Sequence, residues 1–165
     1  MRKRLLAVIL SVFMIGAVFP AAAHAAPPSG SVVIDETTFP DENFRNFVKN
    51  HYGAGGILTE TQIANVKTMD VSCQNICNLK GIEYFTYLEN LNCEFNKLAT
   101  LDVKGCIRLN SLNCYGNELT SLDVSGCTGL ETLYCDQNQL TALDVRNCTK
   151  LSYLNCSENK LLLWM

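Results

Sequence analysis

The chain has 165 residues, of which 16 are acidic and 13 are basic, so its formal net charge is −3. This length suits a single domain. A mildly acidic balance argues against binding to nucleic acid or to a membrane surface.

The N-terminus has the three parts of a secretory signal peptide. The basic segment Arg2-Lys3-Arg4 precedes an apolar run from Leu5 to Phe19, and small residues ending at Ala25 follow. Cleavage there would remove three basic and no acidic residues, which leaves ten basic against 16 acidic residues and a net charge of −6. The alternative is a transmembrane anchor, but about fifteen apolar residues are short for a bilayer. We therefore predict a signal peptide over residues 1–25, an exported product, and no membrane span after cleavage.

Residues 26–65 indicate a short leader and a small helical cap. Pro40-Asp41-Glu42 suits the start of a helix. Three apolar residues then recur at helical spacing, namely Phe44, Phe47 and Val48. After a glycine-rich stretch, Thr59-Glu60-Thr61-Gln62 has the form of a capping box and predicts a second helix. Residues 31–34 either form a small strand or dock on the cap.

The remainder of the chain is a repeat with a period of 21 residues. Four segments fit L-x-x-L-x-C-x-x-N-x-L, and they begin at Leu88, Leu109, Leu130 and Leu151. The bridges between them share the motif L-D-V-x-x-C. This motif resembles a leucine-rich repeat, in the short form of bacterial internalin-like proteins, with Cys in place of the third strand leucine.

The resemblance implies an α/β-type solenoid, a right-handed coil with a short parallel β-sheet on its concave face. We assign residues 66–165 to the repeats. The first coil is atypical because it is one residue longer, and the last coil carries no cap.

The two predicted helices and the glycine-rich loop between them, within residues 26–65, come directly before these repeats. This segment resembles the degenerate EF-hand-like module that precedes such repeats in secreted bacterial proteins. Aligned on Gly56, the calcium positions one, three, five and twelve carry His51, Gly53, Gly55 and Gln62. A calcium loop needs oxygen ligands at the early positions and a bidentate Glu at the last. We therefore expect no metal here, and a hydrophobic cap that seals the first repeat.

Seven of the nine cysteines fall into two columns, and the other two, Cys73 and Cys77, lie outside them. The columns are Cys93, Cys114, Cys135 and Cys156, and Cys106, Cys127 and Cys148. Inward-pointing thiols act as small buried hydrophobes, yet stacked coils lie close enough for some disulfides. Free core thiols are favoured, and a disulfide ladder stays open. Cys73 and Cys77 lack the further ligands that zinc needs.

Two further columns of equivalent residues in successive repeats are expected to support the backbone rather than to take part in catalysis. The column Asn96, Asn117, Asn138 and Asn159 is expected to turn inward and satisfy backbone groups. The column Asp102, Asp123 and Asp144 is expected to serve turns and face water.

The sequence contains no G-x-S-x-G, H-E-x-x-H, P-loop or dinucleotide fingerprint. We predict no enzyme activity and no cofactor.

The outward residues of the predicted strands form the candidate ligand site. These residues are Asn92, Asn113, Tyr115, Tyr134, Asp136, Tyr153 and Asn155. The three tyrosines step diagonally across the sheet, so their rings could form a slanted stripe. Tyrosine is common at binding hot spots, although it also simply suits exposed strand positions.

Two functions remain open. One is a secreted or cell-surface bacterial module that binds an extracellular protein or glycan on its concave face. The other is an N-terminal presenting part of a larger exported hydrolase or adhesin. The apolar end, Leu161, Leu162, Leu163 and Trp164, favours truncation or a missing domain, or else a surface for self-association.

Overall fold

The computed structural model describes residues 30–162. The predicted signal peptide, residues 26–29, Leu163 and Trp164 lie outside the described residues. Among the helices that are described, none is long and apolar enough to cross a membrane.

The N-terminal cap consists of two helices and a two-stranded antiparallel sheet. Its elements are β1 (Val32–Val33), α1 (Glu42–His51), β2 (Ile57–Leu58) and α2 (Glu60–Asn65). The Asp41 carboxylate accepts a hydrogen bond from the Phe44 N–H (2.9 Å) and so caps α1. Thr59 and Gln62 form the predicted capping box of α2. Both helix starts are confirmed, and the ambiguous segment before them forms strand β1.

The cap is fastened to the first coil by hydrogen bonds and by packing. The second oxygen of Asp41 accepts hydrogen bonds from the backbone N–H groups of Cys77 (2.8 Å) and Asn78 (3.3 Å). Phe39 is fully buried against Gly81, whose φ is +105°. A Cβ on Gly81 would lie 2.3 Å from Phe39 Cδ1, so this position requires glycine for both space and backbone conformation.

The repeats build a five-stranded parallel sheet in sequence order. Its strands are β3 (Thr68–Asp70), β4 (Asn90–Asn92), β5 (Ser111–Asn113), β6 (Thr132–Tyr134) and β7 (Tyr153–Asn155). Leu91 pairs with Met69 across 22 residues and with Leu112 across 21 residues. The longer first coil and the regular period are therefore confirmed. In the described chain, α-helices occur in the cap, and a 3-10 helix at Ile82–Tyr84 lies in the first coil's return leg.

The core runs through the middle of the coils. Leu112 and Leu133 are fully buried at the centres of their strands, with Cys114 and Cys135 two residues further on. The residues between them point outward, which is the alternation of a strand with one buried face. Stacking the coils thus buries a continuous apolar column that no single coil could bury alone.

The asparagine column forms a hydrogen-bonded ladder, as predicted. Asn117 donates from Nδ2 to the carbonyl oxygens of Cys93 (3.0 Å) and Cys114 (3.1 Å), and its Oδ1 accepts from the N–H of Leu98 (3.1 Å). Asn138 repeats the pattern one coil further on. Each amide therefore joins its own coil to the preceding one where the chain leaves the strand.

All nine cysteines are free thiols, and the seven column cysteines are buried whereas Cys73 and Cys77 are exposed. Burial raises the pKa of the Cys93 and Cys135 thiols to about 12. These two thiols therefore stay protonated at neutral and mildly alkaline pH, and burial also raises the pKa of the other column thiols. They behave as apolar core groups, as predicted.

We expect only Cys73 and Cys77 to be alkylated rapidly by iodoacetamide when the native chain is treated at pH 9. The thiolate is the reactive form, and burial both raises the pKa of the column thiols and keeps the reagent away from their sulfur atoms. Mass spectrometry counts the labels before and after denaturation. Rapid native labelling of Cys114 or Cys135 would show that the cysteine column is not a closed core.

Candidate recognition surface

The outward side chains of the five strands, together with the next outward residue of each strand, form a surface that we call the concave face. It comprises Thr68, Asp70, Ser72, Asn90, Asn92, Glu94, Ser111, Asn113, Tyr115, Thr132, Tyr134, Asp136, Tyr153, Asn155 and Ser157. The strand pairing places equivalent residues of successive coils side by side. All seven predicted ligand-site residues lie on this surface.

Three tyrosines of the concave face, together with Phe95 beside it, form two aromatic pairs rather than one continuous stripe. Tyr134 and Tyr153 contact each other as expected, with ring centroids 4.9 Å apart. Tyr115 instead packs edge-on against Phe95, at 4.7 Å and an interplanar angle of 72°. Phe95 is 51% exposed, so this pair presents a second aromatic surface at the neighbouring edge of the face.

Phe95 was not predicted, and its position depends on the backbone of two coils. It belongs to a column of residues with left-handed backbone, with φ of 51° at Phe95, 64° at Gly116 and 49° at Gln137. A Cβ on Gly116 would lie 2.9 Å from Phe95 Cδ1. Gly116 therefore leaves room for the Phe95 ring to lie over the next coil. In the sequence, the one glycine in this column was the feature that could have indicated this space.

The three asparagines predicted to bind a ligand use their side-chain oxygens in local hydrogen bonds. The Oδ1 atom of each accepts a hydrogen bond from the N–H two residues on, at 3.2 Å for Asn92, 3.1 Å for Asn113 and 3.2 Å for Asn155. Such bonds shape the turn after the strand. Tyr134 occupies the equivalent place in its coil, and its phenol cannot make this local bond.

The charged residues of the concave face are all acidic: Asp70, Glu94 and Asp136. Asp70 accepts a hydrogen bond from the Ser72 N–H (3.0 Å), and that bond lowers the pKa of the Asp70 carboxyl. Glu94 accepts from Asn113 Nδ2 (2.7 Å). By contrast, Asp136 Oδ1 is buried and has no hydrogen-bond partner among the described residues.

The acidic column on the return legs serves the backbone and faces water, as predicted. Asp123 and Asp144 accept hydrogen bonds from the N–H groups two residues on, each at 3.0 Å. Side-chain and backbone hydrogen bonds from Ser125 to Asp123, and from Arg146 to Asp144, lower the pKa of both carboxyls to about 2, and Lys104 adds to the effect at Asp123. Both carboxylates are therefore charged and locally balanced.

His51 lies at the exposed end of α1, where its Nδ1 is 2.8 Å from the Phe47 carbonyl oxygen and its ring stacks on Phe47. Between residues 30 and 162, the His, Cys, Asp and Glu side chains form no group of three or more that could hold a metal ion. The chemistry available on the concave face is therefore hydrogen bonding, aromatic contact and negative charge.

Parallel strands stacked at a 21-residue interval, buried leucines and an asparagine ladder together define a leucine-rich-repeat solenoid. Residues 39–159 match the family described as the Endo-beta-N-acetylglucosaminidase EndoS LRR domain, and the chain belongs to this family of leucine-rich-repeat domains.

Relatives and solved structures agree with this assignment. Internalin J of Listeria monocytogenes serotype 4b (strain F2365) is 39% identical over 67 residues, which is 39% of this chain and 7% of Internalin J. The functional domain of InlJ from Listeria monocytogenes, described as including a cysteine ladder, is 38% identical with a TM-score of 0.73. That match covers 79% of this chain and 29% of the InlJ chain.

A more distant structure, internalin C2 of Listeria monocytogenes, is 22% identical with a TM-score of 0.59 and covers 82% of this chain and 72% of its own. It shares the fold. The predicted internalin-like repeat is thus confirmed, while the chain spans less than a third of the Internalin J sequence and of the solved InlJ domain that it matches.

Proposed function

We propose that this chain is a bacterial extracellular recognition module that binds a protein ligand on its concave face. The observation that carries the proposal is the pair of aromatic contacts on an otherwise polar sheet, Phe95 with Tyr115 and Tyr134 with Tyr153. Aromatic rings bury large areas at small entropic cost and retain, in tyrosine, a hydroxyl that can bond across an interface.

The exposure of one ring in each pair supports binding rather than packing alone. Phe95 is 51% and Tyr153 is 47% exposed, whereas Phe39, Phe44 and Phe85 in the cap and first coil are fully buried. Large aromatic side chains left in water on a rigid sheet are the side chains that an interface most often uses. The internalin relatives and the predicted signal peptide support the extracellular, bacterial setting.

Changing Tyr115, Tyr134 and Tyr153 together to Ala should weaken binding while the fold is retained, because the three side chains contribute to the outer face. The probes are peptides selected from a random peptide phage library on the purified chain. Their dissociation constants should rise by about thirtyfold or more, since removing interface hot spots costs about 2 kcal/mol or more.

The matched control changes Tyr87 and Ile107 to Ala, because both are large, exposed residues outside the concave face. This control should bind the selected peptides as the unchanged chain does, and circular dichroism should report native melts for both variants. The proposal would be overturned if the selected peptides bound the triple tyrosine variant with unchanged affinity, or if the control variant lost affinity for them.

A second candidate is a presenting module within a larger exported protein. It is supported by the matched family, whose name is that of a domain of an endo-beta-N-acetylglucosaminidase, and by the greater length of the internalin relatives. No enzymatic activity is proposed for the repeats themselves. The intact mass of the natural exported product separates the two candidates, because a presenting module would be found in a much larger chain.

A further inference from the structure

The carboxylate of Asp136 differs from the other two acids of the concave face. Glu94 reaches across to Asn113 of the next coil, 2.7 Å away. The equivalent partner for Asp136 would be Asn155, but aspartate is one methylene shorter than glutamate, and no hydrogen bond joins these two side chains within the described residues. Asp136 is thus left with one buried oxygen that has no partner among the residues described.

The register of the sheet places aromatic residues on two sides of Asp136. Gly116 N–H donates to the Asp136 carbonyl oxygen (3.1 Å), so Tyr115 and Asp136 are neighbours on adjacent coils, about 5 Å apart along the sheet. Tyr134 precedes Asp136 by two residues and lies on the same face, about 7 Å away along the strand. Asp136 therefore lies between the Phe95–Tyr115 pair and the Tyr134–Tyr153 pair.

The charge of the concave face points to a cationic ligand group. Its three acids are not balanced by any Lys or Arg among the fifteen residues that form the surface. A carboxylate with an unused oxygen, partly shielded from water, is costly unless a cation or donor meets it. The last side-chain torsion of Asp136 is of the broad kind, so the carboxylate can rotate out of its present orientation and present both oxygens to a ligand.

We propose that Asp136, Tyr115 and Tyr134 form a seat for an arginine side chain of the protein partner. A guanidinium group stacks on aromatic rings and donates two parallel hydrogen bonds to a carboxylate, which are the two features that meet at this point of the sheet. The proposal rests on the proposed function, because it assigns the kind of partner that the concave face accepts.

The test uses a fluorescent, N-acetylated and C-amidated peptide of Gly-Ser-Arg repeats, and the same peptide with citrulline in place of arginine. Citrulline keeps the shape of arginine and removes its charge. In fluorescence anisotropy at physiological salt, the arginine peptide should bind the purified chain about tenfold more tightly than the citrulline peptide, as expected for a charge-assisted hydrogen-bonded pair.

Two single variants separate a defined seat from general attraction between an acidic chain and a basic peptide. Asp136→Asn should lower the affinity for the arginine peptide by about tenfold, because it removes the charge and keeps the shape. Glu118→Gln makes the same change of charge at an exposed residue outside the concave face and should change the affinity by less than about twofold. Both variants should retain native melts.

Equal losses in the two variants, or unchanged binding by Asp136→Asn, would overturn the arginine seat. Equal binding of the arginine and citrulline peptides would overturn it as well. These outcomes leave the proposed function separately testable, because the library-selected peptides depend on the aromatic residues whether or not they contain arginine. Failure of both sets of peptides to bind the concave face would overturn the two proposals together.

Discussion

Replacing Leu133 with Asp is expected to unfold the coils around strand β6 and to lower the free energy of unfolding by about 4 kcal/mol or more. Leu133 is fully buried and is paired with Leu112 on one side and Leu154 on the other. An aspartate there would lie in an apolar column without a cation to pair with. Such a loss is a large part of the roughly 5–15 kcal/mol that stabilises a typical domain.

The effect should spread beyond one coil, because each repeat is stabilised mainly by its neighbours. The matched control is Thr132→Asp, which introduces the same residue one position earlier, on the outward side of the same strand. Urea unfolding followed by circular dichroism measures both variants. A native-like transition for Leu133→Asp, or an equal loss in Thr132→Asp, would show that the inward and outward positions have been assigned to the wrong faces.

Replacing Asn117 with Ala should lower the free energy of unfolding by about 3 kcal/mol, because it leaves several buried backbone groups without partners. Asn117 donates to the Cys114 and Tyr115 carbonyl oxygens of its own coil and to Cys93 of the previous one. It also provides the acceptor for the buried Leu98 N–H. Deleting the amide removes all of these bonds at once.

The control is Asn113→Ala, which removes the same residue type four positions earlier in the same coil. Asn113 is half-buried on the concave face, where it bonds the Tyr115 N–H and Glu94. Its loss should cost about 1 kcal/mol or less, because water can replace those partners. If the two variants unfolded at the same urea concentration, the ladder would not be what joins the coils.

The sequence predicts the solenoid well because in this fold the pairing of strands follows from the period. A residue and its counterpart 21 positions later must be neighbours once the coils stack, so Leu91 opposite Leu112 and Asn96 above Asn117 can be inferred without coordinates. The extra residue in the first coil is equally visible, and it appears in the pairing of Met69 with Leu91. The start of the first cap helix was predicted from a proline and two acidic residues, and the start of the second from a capping box at Thr59. The hydrogen-bonding role of Asp41 as the N-cap is an addition from the structure.

The details of the concave face were less predictable, because they depend on side-chain direction and not on spacing. Tyr115 could have leaned toward Tyr134 or toward Phe95, and the left-handed backbone at Phe95 with the space above Gly116 decides between them. The unpartnered oxygen of Asp136 likewise arises from the length difference between Asp and Glu at equivalent positions. A pattern of residue types does not show which neighbouring group a particular side chain is long enough to contact.

The most direct test of the account is a nuclear magnetic resonance footprint of a library-selected peptide on the isotopically labelled chain. We predict that backbone and side-chain signals change at Phe95, Tyr115, Tyr134, Asp136 and Tyr153, while signals of the return legs, such as Ile107 and Asp123, stay in place. Changes concentrated on the return legs or on the helical cap, with the concave face unaffected, would contradict the assignment of this surface as the recognition site.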